Sequence, residues 1–346
     1  MFLMLVLAIS TINAVIAADI TLNPNSPGGL KQAINTAKNG DTILLNNGLY
    51  NGENNTNITI KKDINIKGLG SNVILDGQGK NLFFNITGKK VSLIKLKFTN
   101  GYSNFSAPIS HIKGNLTIKD CIFTNNEAFY GGAIYSEKGN LSIMRCTFKN
   151  NKGSHGGAIL TESKTNINKC IFTNNKADFW GGAINSERIS LTVKNSIFTN
   201  NKGSCGGAIS LFGKSTISNC SFKNNKATTK EIDTSEGGAI ILFGKSTINK
   251  CNFKNNTARD GAGAIQVSAN TKITGSTFTD NKSKRGGAIF AELVGQHDFI
   301  PITLKIENSK FTKNIVGKKY NAIVISKKVT LTKKNVKISP KDGTKV

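Results

Sequence analysis

Three glutamates, Glu137, Glu162 and Glu187, recur at intervals of 25 residues. Carboxylates held close together can bind a cation, or work as an acid–base pair when one is pushed to a high pKa by its neighbours. Lys138 and Arg188 adjoin them in the chain, and Phe212 ends the series. A solvated, salt-bridged stripe facing outward is therefore the preferred reading, ahead of weak cation binding and of catalysis. Tyr130, His155 and Trp180 form a second series with the same interval, accompanied by Phe129 and Phe179. Aromatic faces at an outer corner suit sugar rings or a partner's apolar surface; packing of the corner itself competes with that reading. The glutamates lie seven residues beyond the aromatic series, so the two need not form one site. Lys152, Lys176, Lys202 and Lys226 make a third, basic series, read either as a solvated edge or as a track for an anionic polymer.

Five cysteines, Cys121, Cys146, Cys170, Cys220 and Cys251, each precede a phenylalanine by two positions, where Ser196, Ser276 and Ser309 stand in other copies. Exchange with serine points to small inward-facing thiols, and Cys205 stands apart. No cysteine spacing of metal-site type occurs. The aspartates Asp120, Asp178, Asp260 and Asp280 fall at unrelated positions. Polysaccharide-cleaving chemistry needs clustered carboxylates. The chain is thus expected not to be an enzyme, and to need no cofactor and no catalytic metal.

The intervals follow from a repeat. Phe-x-x-Asn occurs eight times, from Phe123–Asn126 to Phe311–Asn314. Gly-Gly-Ala-Ile begins at Gly131, Gly156, Gly181, Gly206, Gly237 and Gly286, with Ala262-Gly263-Ala264-Ile265 as a variant. One such unit has too few apolar residues to make a core, so copies must stack. With one coil per repeat, equivalent residues form columns roughly 4.8 Å apart. Leu116, Ile118, Cys121 and Phe123 alternate inward, as do Leu141, Ile143, Cys146 and Phe148. Ile134 and Ser136 are expected inside, with Ala133, Tyr135 and Glu137 outside. The second Asn of each pair is expected to form a ladder at a bend.

These patterns predict an all-β fold, a single-stranded right-handed parallel β-helix of about twelve coils and roughly 55–60 Å. Leu30, Ile34 and Ala37 within residues 28–38 predict a short capping helix. The expected division is a signal peptide at 1–18, a cap at 19–40, the β-helix at 41–340 and a basic tail at 341–346. The leader has an apolar core at 2–9 and small residues at Ala14, Ala17 and Ala18. No later stretch is long and apolar enough to span a bilayer. The formal net charge of +26 favours anionic surfaces. The segments Ala227–Glu236 and Val294–Ile302 are longer than their counterparts in other copies, and loops on a rigid scaffold are candidate functional places.

The Gly-Gly-Ala-Ile and Phe-x-x-Asn motifs resemble the repeats of the polymorphic membrane protein family. The opening LKQAINTAKNGDTILLNNGLY, with INIKGLGSNVILDGQG, resembles the start of adhesin-like β-helix proteins of methanogenic archaea. That resemblance implies a secreted or cell-surface binding protein. Its partner would be a glycan, an anionic cell-wall polymer or a surface protein of another cell, with no specific recognition of nucleic acid. A polysaccharide-active enzyme of pectate-lyase type and a purely structural envelope rod are the alternatives.

Overall fold

The computed structural model describes residues 17–228, 236–293 and 301–340. Most of the expected leader, the expected tail at 341–346 and the middles of both long loops lie outside these residues. Every coil runs through three long parallel sheets of thirteen, twelve and eleven strands. They begin with Asp19–Leu22, Gly48–Tyr50 and Ile58–Ile60 and end with Val329–Lys334, Lys337–Ser339 and Ile323–Ile325 respectively. A six-stranded sheet, from Tyr102–Ser103 to Lys226–Ala227, is inserted between the second and third over the middle coils. The result is the right-handed solenoid of about twelve turns that the repeat predicts. One departure occurs near the C-terminal end, where Ile315–Val316 pairs antiparallel with Lys319–Tyr320.

The columns are packed as the alternation requires. The phenylalanine column holds nine stacked rings rather than eight, because Phe98 joins Phe123, Phe148, Phe172, Phe198, Phe222, Phe253, Phe278 and Phe311. Successive centroids lie between 4.6 Å (Phe278–Phe311) and 5.0 Å (Phe98–Phe123), and the planes are almost parallel. The strand spacing imposes this repeat, so identical rings at one register must stack. The five cysteines fill the position beside the rings as buried thiols, and each Sγ donates to a backbone carbonyl. Burial and the neighbouring sulfur hold Cys146 and Cys170 well above the ordinary thiol range. They are therefore poor nucleophiles.

Each Asn pair divides its work. The first member takes the left-handed backbone conformation, as at Asn125 (φ 54°), Asn150 (φ 57°) and Asn174 (φ 55°). The second is buried and forms the ladder. Asn175, for example, donates to Asn201 Oδ1 at 3.0 Å and to the Phe148 carbonyl at 3.0 Å. Its own Oδ1 accepts from the Asn151 side chain at 3.0 Å and from the Asn151 backbone N–H at 3.1 Å. The ladder runs unbroken from Asn126 to Asn314. Ala133 is corrected: it and its equivalents are buried in the core, because the glycine corner turns that residue inward.

The helix Gly29–Thr36 covers the first coil with Leu30, Ala33 and Ile34. Lys62 closes its C-terminal end by donating to the Asn35 and Ala37 carbonyls, each at 2.5 Å. A cation there complements the helix dipole. A polar seam, of which the sequence revealed only the inward Ser136, interrupts the core at His111, Ser136, Thr161, Ser163 and Thr165. Burial depresses the His111 pKa, so its ring is neutral at neutral pH.

Candidate functional site

The aromatic series stands in register on the inserted sheet. Tyr130 pairs with His155, His155 with Trp180, and Trp180 with Cys205, so Cys205 is the fourth member of that column. Two local features aim these rings outward. The strand Lys176–Trp180 carries one residue more than Lys152–His155, so Asp178 and Phe179 together face Ser154 across a bulge. Bulges re-aim side chains, and this one leaves Phe179 53% exposed. The glycine corner follows at once. Gly131 lies at φ 65°, and a Cβ there would sit 2.1 Å from the Ile134 carbonyl. Only glycine allows so tight a return, and the ring before it is left on the rim. Phe129 and Tyr130 are exposed, and His155 and Trp180 are half-buried.

The glutamates each follow directly after a strand of the third sheet, Ile134–Ser136, Ile159–Thr161 and Ile184–Ser186. The backbone N–H groups of Glu137, Glu162, Glu187, Phe212 and Phe243 donate to the equivalent carbonyls of the preceding coils, which makes them one column. Each carboxylate has a different partner. Glu137 pairs with Lys138 at 3.0 Å, Glu162 accepts from the Tyr135 hydroxyl at 3.0 Å, and Glu187 accepts from Asn185 Nδ2 at 3.1 Å. Burial, the bond to Glu162 and the charges of Glu137 and Glu187 push the Tyr135 pKa up. Among the described residues, no group of three or more His, Cys, Asp or Glu is placed to hold a metal ion.

The structure unites the two columns. Tyr130 lies 6.1 Å from Tyr135, whose hydroxyl holds Glu162. His155 stacks on Phe179 at 5.4 Å. Its pKa is lowered by partial burial and raised by Glu187, burial winning, so the imidazole is neutral at neutral pH. Trp180 meets Phe212 edge-on at 5.1 Å and Phe243 at 5.8 Å, and these two occupy the glutamate column one and two coils further on. The result is a mixed aromatic and carboxylate surface over five coils, roughly 20 Å along the rod. Phe212 was read only as the end of the glutamate series, and Tyr135, Phe243 and Cys205 were missed as members. The matching Leu211-Phe212-Gly213 and Leu242-Phe243-Gly244 and the 25-residue step from Trp180 to Cys205 carried the signal for all but Tyr135.

A separate carboxylate, Glu236, lies at the end of the longer segment 227–236, whose residues 229–235 are outside the described set. It is fully buried and accepts from the Arg259 and Asp260 backbone N–H groups at 2.8 and 3.1 Å. Burial pushes its pKa up to about 7, against the two hydrogen bonds, with the Asp260 charge adding to the rise. The folded state then keeps a proton that the unfolded chain releases near 4.5. Stability is expected to fall as pH rises from about 4.5 through about 7, by up to about 3 kcal/mol. Denaturation midpoints at pH 5 and pH 8 check this: Glu236→Gln should flatten the difference, and an unchanged difference would remove Glu236 as its source.

Residues 47–227 match the family model described as the right handed beta helix region. The chain belongs to the right-handed β-helix family. Within this β-helix protein, residues 219–240 and 275–292 also match the repeat of the Chlamydia polymorphic membrane protein. No curated protein matches the sequence. Among solved structures it is similar to a mannuronic acid specific polysaccharide family 6 lyase from human gut microbiota, at 12% identity and a TM-score of 0.56. The alignment covers 95% of this chain and 88% of the lyase. It is also similar to the catalytic unit of a GH87 alpha-1,3-glucanase from Streptomyces thermodiastaticus strain HF3-3, at 14% identity and a TM-score of 0.53, covering 91% and 68%.

At these identities the likeness is one of fold. It nevertheless overturns the expectation that the chain is not an enzyme. That expectation was read from a regular shaft with scattered aspartates, and shafts of this architecture carry a lyase and a glucanase. Among the described residues, no helix is long and apolar enough to cross a membrane.

Proposed function

We propose that this β-helix protein is an extracellular, polysaccharide-directed protein whose aromatic–carboxylate face grips a glycan chain lying along the rod. The observation that carries the reading is the junction of the columns: Tyr130 lies beside Tyr135, which holds Glu162, and Trp180 lies on Phe212 and Phe243, which continue the glutamate column. Ring faces take the apolar faces of sugars while carboxylates and Tyr135 accept or donate to hydroxyls. A purely structural shaft has no need of exposed Phe129, Tyr130 and Phe179 in one patch. Adhesion to the glycan of another cell is one use of such a face.

Turnover of the bound chain is the second reading. The glutamates stand one per coil, so neighbours are roughly 5 Å apart and alternate ones roughly 10 Å at the backbone. Pairs in that range suit acid–base hydrolysis of a glycosidic bond. Tyr135 orients Glu162, the middle member.

Affinity electrophoresis through gels containing soluble polysaccharides tests the binding, and analysis of reducing ends in the same mixtures tests turnover. Trp180→Ala should weaken retention at least about tenfold, or about 1.4 kcal/mol. Because Trp180 also packs on Phe212 and Phe243, the exposed Phe179→Ala serves as a second variant that leaves the fold intact. Wild-type retention in both variants would defeat the reading.

A further inference from the structure

The lysine series lies on the same sheet as the rings. Lys152 pairs with Lys176, Lys176 with Lys202, and Lys202 with Lys226, giving one ammonium per coil at the strand spacing. Lys152 is held by Glu127 at 2.5 Å and Lys176 is 3.9 Å from Asp178. Among the described residues, the exposed Lys202 and Lys226 have no acidic partner within ion-pair distance. Like charges stacked this way repel, and ion pairs offset the repulsion only at the lower two. At one end of the column is a shallow pocket of about 160 Å³ between Lys152, Glu127, Asp178 and Phe129. At the other is an open pocket of about 480 Å³ bordered by Lys226, Thr228, Thr257 and Arg259.

We infer that the glycan is acidic and oriented, its anionic groups on Lys152, Lys176, Lys202 and Lys226 and its sugar faces on the adjoining rings; this rests on the function proposed above. The chain must run along the rod axis, because both columns do. Its charged edge turns toward the lysines, most of all toward Lys202 and Lys226, because Glu137, Glu162 and Glu187 flank the rings on the other side, while Glu127 and Asp178 already engage Lys152 and Lys176. A repeating polymer with one carboxylate or sulfate per sugar offers charges at a pitch comparable to the coil spacing. The rings favour sugar over nucleic acid: Phe129 and Tyr130 stand edge-on at 84°, so they offer no run of parallel platforms for successive bases.

Calorimetric titration of the whole protein with polygalacturonate oligomers, a neutral β-glucan oligosaccharide of equal length and single-stranded DNA tests the inference. Polygalacturonate should bind at least about tenfold more tightly than the glucan, and the preference should shrink with added salt. The double substitution Lys202→Gln and Lys226→Gln should abolish that preference without altering the circular dichroism. Equal binding of both glycans, unchanged in the double variant, would overturn the acidic assignment and leave the proposed function standing. Failure to bind either glycan would sink both. DNA binding as tight as polygalacturonate would replace the acidic glycan by nucleic acid.

Discussion

Replacing Asn175 with alanine is expected to destabilise the protein by about 4 kcal/mol. The side chain makes four hydrogen bonds, two given and two received, with no solvent contact to replace them. Its loss leaves the Phe148 carbonyl and the Asn151 backbone N–H each short of a buried partner. Each such group costs about 1–3 kcal/mol, and the vacated volume adds to this. Asn175→Asp should be no better, since a carboxylate cannot donate to Phe148 or Asn201. Urea denaturation followed by far-ultraviolet circular dichroism measures the effect. A shift below about 1 kcal/mol would mean that the ladder is a consequence of stacking and contributes little to it.

The second large effect is expected at Phe198. Its ring lies 4.7 Å from Phe172 and 4.8 Å from Phe222, with both planes within 6° of its own. Phe198→Ala should cost about 3–5 kcal/mol, because a stacked column cannot collapse onto the gap without moving every coil beyond it. In an array where each coil contacts only its neighbours, a defect at the middle also weakens their coupling. The unfolding transition should therefore broaden or split, with the two ends melting separately. Phe198→Leu should keep a single transition at a smaller cost. A single sharp transition in Phe198→Ala would show that coupling is carried by the sheets alone.

The architecture was legible because its cause is periodic. Phe, Asn and Cys/Ser at fixed offsets state the coil length, the inward positions and the turn chemistry. Ala133 was misplaced because alternation fails where a glycine corner interrupts the strand. The ninth ring, Phe98, was missed because Gly101 stands where later copies have the ladder Asn.

The candidate site was legible in its parts and illegible in its assembly. Tyr130, His155 and Trp180 are one column by spacing alone, and so are the three glutamates. Seven residues of sequence distance say nothing about a corner that folds one column against the other. The bulge at Asp178 and Phe179 and the contacts of Trp180 with Phe212 and Phe243 are three-dimensional facts. The expectation of no enzymatic activity rested on the scattered aspartates and a solvated glutamate stripe, and it falls because shafts of the same fold are a lyase and a glucanase.

Trp180 is the only tryptophan in the chain and lies in the middle of the site. Its fluorescence is therefore a direct report on the central claim. Titration of the wild-type protein with soluble polysaccharides should give a saturable change in emission intensity and a shift to shorter wavelength, as sugar replaces water over the half-exposed indole. Retention of a polysaccharide by the protein with no change in Trp180 emission at saturation would place the glycan elsewhere and contradict the account.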